Sequence, residues 1–325
     1  MKRRSQAGAA LLAAMLTVTL VATFAAAALW QQWRSVEIEA ADRTRVRSAW
    51  ILTGALDWAR LILREDRRSG ADHLGEPWAI PLQEARLSTF LAADQSNNTD
   101  TAEADDVYLS GEITDLQSRL NLGNLVQSGS LQKDWMEIAR RLFEVLGLSS
   151  AELNRMAENL RFASDIAIDN QNAARAALMP QRLEQLAWLG LSPQTIAVLA
   201  PHVTLLPPSE RAAALPGINL NTASAQVIYA AIPGISLADA QRLVAERERQ
   251  PFLKIADARA LLPEGVALPD QRVTITTSYF EVHGRLRMDD VVIEERSIVQ
   301  RQGATVRTLL RERGAPTVPV QAVAR

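Results

Sequence analysis

Chemistry needs particular side chains held close together, and this 325-residue chain offers few of them. It contains no cysteine, which removes thiolate nucleophiles, disulfides and thiolate metal sites. Three histidines, His73, His202 and His283, stand on separate segments without the short spacing that brings two imidazoles to one metal. Ser110-Gly111 and Pro216-Gly217 are ordinary turn pairs and form neither a nucleophile elbow nor a phosphate loop. Residues 91–106, with Asp94, Asp100, Glu103, Asp105 and Asp106, make a polar, acidic tract that reads first as an exposed, solvated loop, with ion binding by Asp100 to Asp106 the alternative. Net charge is −2, and only Lys2, Lys133 and Lys254 are lysines, so nothing draws the whole chain to nucleic acid. The residues predict no enzyme.

The elements that position everything else begin at the amino terminus. A basic head, Met1-Lys2-Arg3-Arg4-Ser5-Gln6-Ala7-Gly8, leads into an uncharged run over residues 9–30, with Arg34 the next charge. That length suffices for one membrane-spanning helix of about 20 residues. Basic residues on its leading side place the start of the chain in the cytoplasm and the rest across the membrane. Three readings fit this segment. It is a secretory signal ending at Ala25-Ala26-Ala27-Ala28, a plain signal anchor, or a prepilin-type leader cut after Gly8.

The residues after this run favour continuity over a cleaved signal. No Pro or Gly occurs between Ala9 and Thr53. Leu52, Ala55, Leu56, Ala59 and Leu63 then recur on one helical face. The pattern predicts one long helix, apolar all round in its first half and amphipathic in its second. Trp30 and Trp33 suit the membrane interface; Trp50 and Trp58 are expected to pack a globular head on the helix. Gly70 and Gly75 end the helix, and Pro77 and Pro81 keep the next stretch irregular. Residues 115–262 read as mostly helical, with Trp135 and Trp188 in their core. The Val- and Thr-rich stretch 272–279, then 280–285, 291–300 and 305–311, read as strands of an antiparallel meander with turns at Gly284 and Gly303.

Four blocks resemble the K-type minor pseudopilin family of the type II secretion system (general secretion pathway protein K). They are Gly8-Ala9-Ala10-Leu11-Leu12, Asp72-His73-Leu74-Gly75-Glu76-Pro77-Trp78, the segment from Gly111 to Leu125, and Ile218-Asn219-Leu220-Asn221-Thr222-Ala223-Ser224. In the third, Asp115, Gln117, Arg119, Asn121, Leu122 and Asn124 match the family signature; in the fourth, Asn219, Asn221 and Thr222 do. The resemblance implies an α+β, pilin-like fold: a long N-terminal helix packed on a small antiparallel sheet, with a large inserted all-α domain. The expected organisation is a leader over 1–8 and a spine helix over 9–68 that crosses the membrane at 9–30. A head is formed by 69–110 and 266–313, a helical insert by 111–265, and a flexible tail by 314–325.

The resemblance further implies cleavage after Gly8, methylation of Ala9 by the prepilin peptidase, and a single pass through the inner membrane with a periplasmic carboxy-terminal domain. Leu11, Leu12, Ala13, Leu16, Val18, Leu20 and Val21 would serve membrane insertion and assembly. Other pilins carry glutamate at the fifth mature position, where this chain has Ala13. A buried acid in lipid is costly unless paired, so its loss suits a subunit with none ahead of it. Implied partners are the I-type and J-type minor pseudopilins, other pseudopilins, inner-membrane platform proteins, the peptidase and membrane lipid.

Relatives carry calcium on the globular part, but the corresponding segment here retains only Asp165 and Asp169. Calcium takes six to eight oxygens, so no cofactor or metal is expected there. Residues 218–262 also resemble the helix-hairpin-helix module of DNA-uptake receptors, an alternative function. Arg242, Arg247, Arg249 and Lys254 are offset by Asp239, Glu246, Glu248 and Asp257, which argues against the counterion release that DNA binding needs.

Overall fold

The absence of Pro and Gly from residues 9–53 has a direct consequence: helix α1 runs unbroken over Ala7–Asp66, 60 residues. The structure is a computed structural model and describes residues 7–66, 70–88, 107–165, 177–207, 216–269, 271–288 and 291–314. Two compact units share the chain, residues 1–54 and 55–325.

The first unit is the apolar part of α1 and its polar continuation. Leu11, Leu12, Leu16, Val18, Leu20 and Val21 are all exposed, as are Trp30 and Trp33. As a helix, residues 9–30 measure about 33 Å, enough for a hydrocarbon core of about 30 Å. The threonines within it do not break its apolar character. Thr17 donates to the Ala14 carbonyl, Thr19 to Met15 and Leu16, and Thr23 to Leu20, so no hydroxyl needs water. Trp50 departs from expectation: it is 73% exposed.

In the second unit the end of α1 buries Leu56, Ala59 and Leu63 against Trp78, Phe280, Val282, Val299 and Val306. The sheet it covers has the order β1-β2-β9-β10-β11, all antiparallel: β1 (Leu82–Arg86), β2 (Val107–Asp115), β9 (Tyr279–Met288), β10 (Val291–Gln302) and β11 (Thr305–Gly314). A five-stranded sheet needs one face covered by apolar side chains to be stable. Each fully buried Leu, Val or Phe on that face contributes about 2 kcal/mol. Trp78 and Phe280 meet edge to face, centroids 5.2 Å apart. Trp58, expected in this interface, is 41% exposed. Its neighbours Leu56 and Ala59 take the inward positions, and Trp58 falls outside their arc.

Two strand expectations are corrected. Gly284 is no turn: it lies inside β9, opposite Gly111 of β2. A Cβ on Gly111 would stand 2.7 Å from the His283 carbonyl oxygen, so the glycine serves close strand approach. Residues 272–278 do not join the meander, which starts only at Tyr279; within them Val273–Thr274 (β8) is strand, paired in parallel with Ile218–Asn219 (β7). Gly303, with φ of 60°, does lie in the turn between β10 and β11.

Between β2 and β9 lies the helical block: α2 (Lys133–Val145), α3 (Ser150–Ser164), α4 (Pro193–Leu199), α5 (Ala225–Ala231), α6 (Leu237–Arg249) and α7 (Ile255–Arg259). Short pairs, β3 (Leu120–Asn121) with β6 (Val203–Thr204) and β4 (Val126–Gln127) with β5 (Ser130–Leu131), pin its loops. One core, including Trp135, Leu142, Phe143, Leu189 and Ile228, runs through it. Trp188, expected in that core, is 49% exposed; its neighbour Leu189 is the buried residue.

Candidate functional site

The most densely bonded site grows from the end of β2. Asp115 sits where the strand becomes a 3-10 turn over Leu116–Ser118, and it caps that turn by accepting from Gln117 N at 2.6 Å. The same oxygen accepts from Thr277 Oγ1. The other accepts from Asn219 Nδ2 at 2.9 Å and Thr222 Oγ1 at 2.6 Å. Burial pushes the Asp115 carboxyl up, and the four donors oppose that shift. Asn219 Nδ2 also donates to the Asp72 carbonyl, and Asn219 Oδ1 accepts from Asn221 N.

Around this carboxylate the amide side chains fasten separate segments. Gln117 donates to the Gly217 carbonyl and accepts from Ser278 N. Asn121 Oδ1 accepts from Gly123 N and Leu206 N, while its Nδ2 donates to Asn124 Oδ1. Asn124 in turn donates to the Pro216 carbonyl. Asn221 makes a reciprocal pair with the Phe252 backbone, both bonds 2.9 Å. Leu122 is fully buried in the helical core. Arg119 is half-buried; burial, helped by the Arg119 charge, lowers the His202 pKa. These groups satisfy backbone donors and acceptors at chain crossings, and Asp115 and Thr222 also line a small cleft of about 230 Å³ with Trp78, Pro81 and Ser118. The arrangement is a staple.

A second polar cluster lies where α1 meets the sheet. Arg301 of β10 donates through Nη1 to the Leu63 carbonyl and Asp66 Oδ2, both at 3.3 Å, and through Nη2 to Asp72 Oδ1 and the Thr277 carbonyl. Asp72 Oδ2 accepts from Thr277 N at 2.6 Å. Glu76 Oε2 accepts from His73 N at 3.0 Å and Trp78 Nε1 at 2.9 Å. Burial, with the charges of Glu76 and Asp72, pushes the Asp66 carboxyl up to about 6. Asp72 is also raised, by burial, against the pull of Arg301.

Two family models described as "Type II secretion system (T2SS), protein K" match residues 118–208 and 218–277. The type II secretion system protein K of Pseudomonas aeruginosa is 28% identical over 343 residues, covering 98% of this chain and 96% of that protein. Both matches indicate a type II secretion system protein K. Another protein K, from Pectobacterium carotovorum, is 23% identical over 342 residues, covering 96% of this chain and 98% of its own length. A chain in the crystal structure of the GspK-GspI-GspJ complex from enterotoxigenic Escherichia coli shares the fold. Its TM-score is 0.58 at 14% identity, over 85% of this chain and 99% of that one. A protein K is a minor pseudopilin, and the long apolar helix at the start of this one fits a transmembrane anchor.

Within this protein K, the expected site residues separate into two groups. Asp115, Gln117, Asn121, Asn124, Asn219, Asn221 and Thr222 act in one hydrogen-bonded region, while Arg119 and Leu122 flank it. Gly8 and Ala9 lie in the first turns of α1, and Leu11, Leu12, Ala13, Leu16, Val18, Leu20 and Val21 come after them along it. Thr277 and Ser278 join the network without having been expected there. Their signal is faint, a Thr-Thr-Ser run at the end of an expected strand, and no spacing rule ties it to residues 115–117.

The segment that would correspond to the family's calcium loop shows Asp165 at the end of α3, whereas Asp169 lies outside the described residues, as does the tract 91–106. The start of α6 is where a helix-hairpin-helix module would receive a phosphate. Here Asp239 occupies it, accepting from Ser236 N and Oγ at 3.0 and 2.7 Å. Negative charge at that point repels a phosphate, and the DNA-binding alternative gains no support.

Proposed function

We propose that this protein K is a non-enzymatic subunit that initiates or caps the tip of the periplasmic pseudopilus, in a system exporting folded proteins across the outer membrane. In this reading it enters the inner membrane once through residues 9–30, with its amino terminus cytoplasmic and its larger part periplasmic. The prepilin peptidase cuts after Gly8 and methylates Ala9. The I-type and J-type minor pseudopilins join it in a tip complex, and other pseudopilins and the inner-membrane platform proteins complete its partners.

The observation that most supports this reading is the unbroken helix α1. A secretory signal is released and needs no structural continuity with the mature chain. Here the apolar run and the amphipathic face that covers the sheet belong to the same 60-residue helix. The likeness to a chain of the GspK-GspI-GspJ complex supports the choice of partners by analogy. Ala13 at the fifth mature position and the bulk of the helical insert both suit a subunit with none above it.

The deciding measurement is the amino-terminal residue of protein recovered from membranes, with prepilin peptidase present and absent. Methylated Ala9, found only with the peptidase, is expected. A start near residues 26–29 would identify an ordinary secretory signal and remove the filament role. Cysteine pairs along α1 that cross-link with I-type and J-type subunits would then support assembly, and even distribution of the protein along filaments would exclude capping.

A further inference from the structure

The Asp66, Asp72 and Glu76 cluster is unbalanced in a way that the Asp115 network is not. Glu76 is 5% exposed, and its Oε2 is taken by His73 N and Trp78 Nε1. Its Oε1 is buried and has no hydrogen-bond partner. An ionised carboxylate oxygen without a donor, in a water-poor site, is among the costliest arrangements a fold can hold. A carboxylate oxygen from each of the three acids lies within 4.8 Å of one from the others. Arg301 reaches Asp66 and Asp72, but no hydrogen bond joins it to Glu76 among the described residues.

We propose that Asp66, Asp72 and Glu76 form a binding site for one hard divalent cation of the calcium and magnesium class, with Glu76 Oε1 as a direct ligand. The donor set is all oxygen, which suits hard cations and disfavours thiolate- or imidazole-seeking metals. Beside Asp72 and Arg301 opens a cleft of about 270 Å³ between residues 70–72 and 276–278. Of the three acids Asp72 lines it, and since a water occupies about 30 Å³, the cleft can bring waters to the Asp72 side of the ion. The bound ion would tie the end of α1 to the loop at residues 70–78, and through Asp72 and Arg301 to β10. This site is separate from the segment of Asp165 and Asp169 and does not depend on the secretion role.

The test uses the full-length chain in detergent, stripped with chelator and titrated with calcium chloride or magnesium chloride at neutral pH. Calorimetry is expected to show one ion per chain, and the thermal midpoint should rise with ion concentration as linkage requires. Glu76→Gln keeps the acceptor for His73 and Trp78 but removes the charged ligand. It should weaken binding at least about tenfold, or about 1.4 kcal/mol, while its ion-free midpoint stays at or above that of the unaltered chain. Asp66→Asn provides a second variant, with the same expected loss of binding. Absence of binding by the unaltered chain at about 1 mM of either ion, the weak end of protein calcium sites, would overturn the proposal. So would binding by both variants as tight as that of the unaltered chain.

Discussion

Asp115 and Glu76 are both buried acids of the second unit, and they have opposite surroundings. Each oxygen of Asp115 has two donors facing it: Gln117 N and Thr277 on one, Asn219 and Thr222 on the other. Glu76 has both of its donors on one oxygen and none on the other. Burial costs both carboxylates solvation, so it cannot be what distinguishes them. Donor placement does. A carboxylate whose surroundings already match its charge is a structural fastener, while one left half-matched is arranged for something not yet on the chain.

The comparison is broken or sharpened most strongly by making one chemical change at both places. Asp115→Asn turns an accepting oxygen into an amide donor that faces donors from Asn219 and Thr222 or from Gln117 and Thr277. We expect a loss of about 3–5 kcal/mol, read as a collapse of the unfolding midpoint of the full chain or as rapid proteolysis between residues 107 and 288. Asn121→Ala comes next. It strands the part-buried Gly123 and Leu206 amides and should cost about 1–2 kcal/mol, measurable by denaturant titration.

Glu76→Gln should have the opposite sign from Asp115→Asn in ion-free solution. The new amide can donate into the carboxylates around it, so the midpoint should be unchanged or raised by about 1 kcal/mol. A loss as large as that of Asp115→Asn would erase the distinction between the two sites. The smallest effect concerns His202, whose pKa is lowered by burial and by Arg119. A histidine held neutral in the fold contributes stability above its ordinary value of 6.5 that is lost as pH falls toward the lowered folded value. The midpoint difference between the unaltered chain and His202→Gln should therefore shrink between neutral and mildly acidic pH. A difference independent of pH would exclude titration of this ring.

Local patterns are legible where they repeat with the period of one element. The apolar run, the missing Pro and Gly, and the inward positions Leu56, Ala59 and Leu63 each come from helical spacing, and α1 is the result. The motif residues Asp115, Asn121, Asn219 and Asn221 can be named from the chain because each block is contiguous. Their roles are not visible there, because the donors to Asp115 come from residues 117, 219, 222 and 277. Expectations fail where a side chain's neighbours are distant in sequence. Size alone puts Trp50, Trp58 and Trp188 inside, yet the packing directions of their helices leave them exposed. Gly284 suggests a turn because glycine often marks one, whereas its position opposite Gly111 reflects the close approach of two strands.

By itself the amino-acid sequence determined the membrane-length helix, its amphipathic continuation, the absence of thiol chemistry and the order of the family blocks. Those properties depend on residue type and on spacing within one element. The tertiary structure alone decided which polar groups meet. Asp66 ends a helix, Asp72 and Glu76 lie in a loop and Arg301 belongs to β10, so their charges interact only after the sheet has formed. Coulomb and hydrogen-bond energies depend on separation in space, and a chain fixes such separations over long distances only when it is folded.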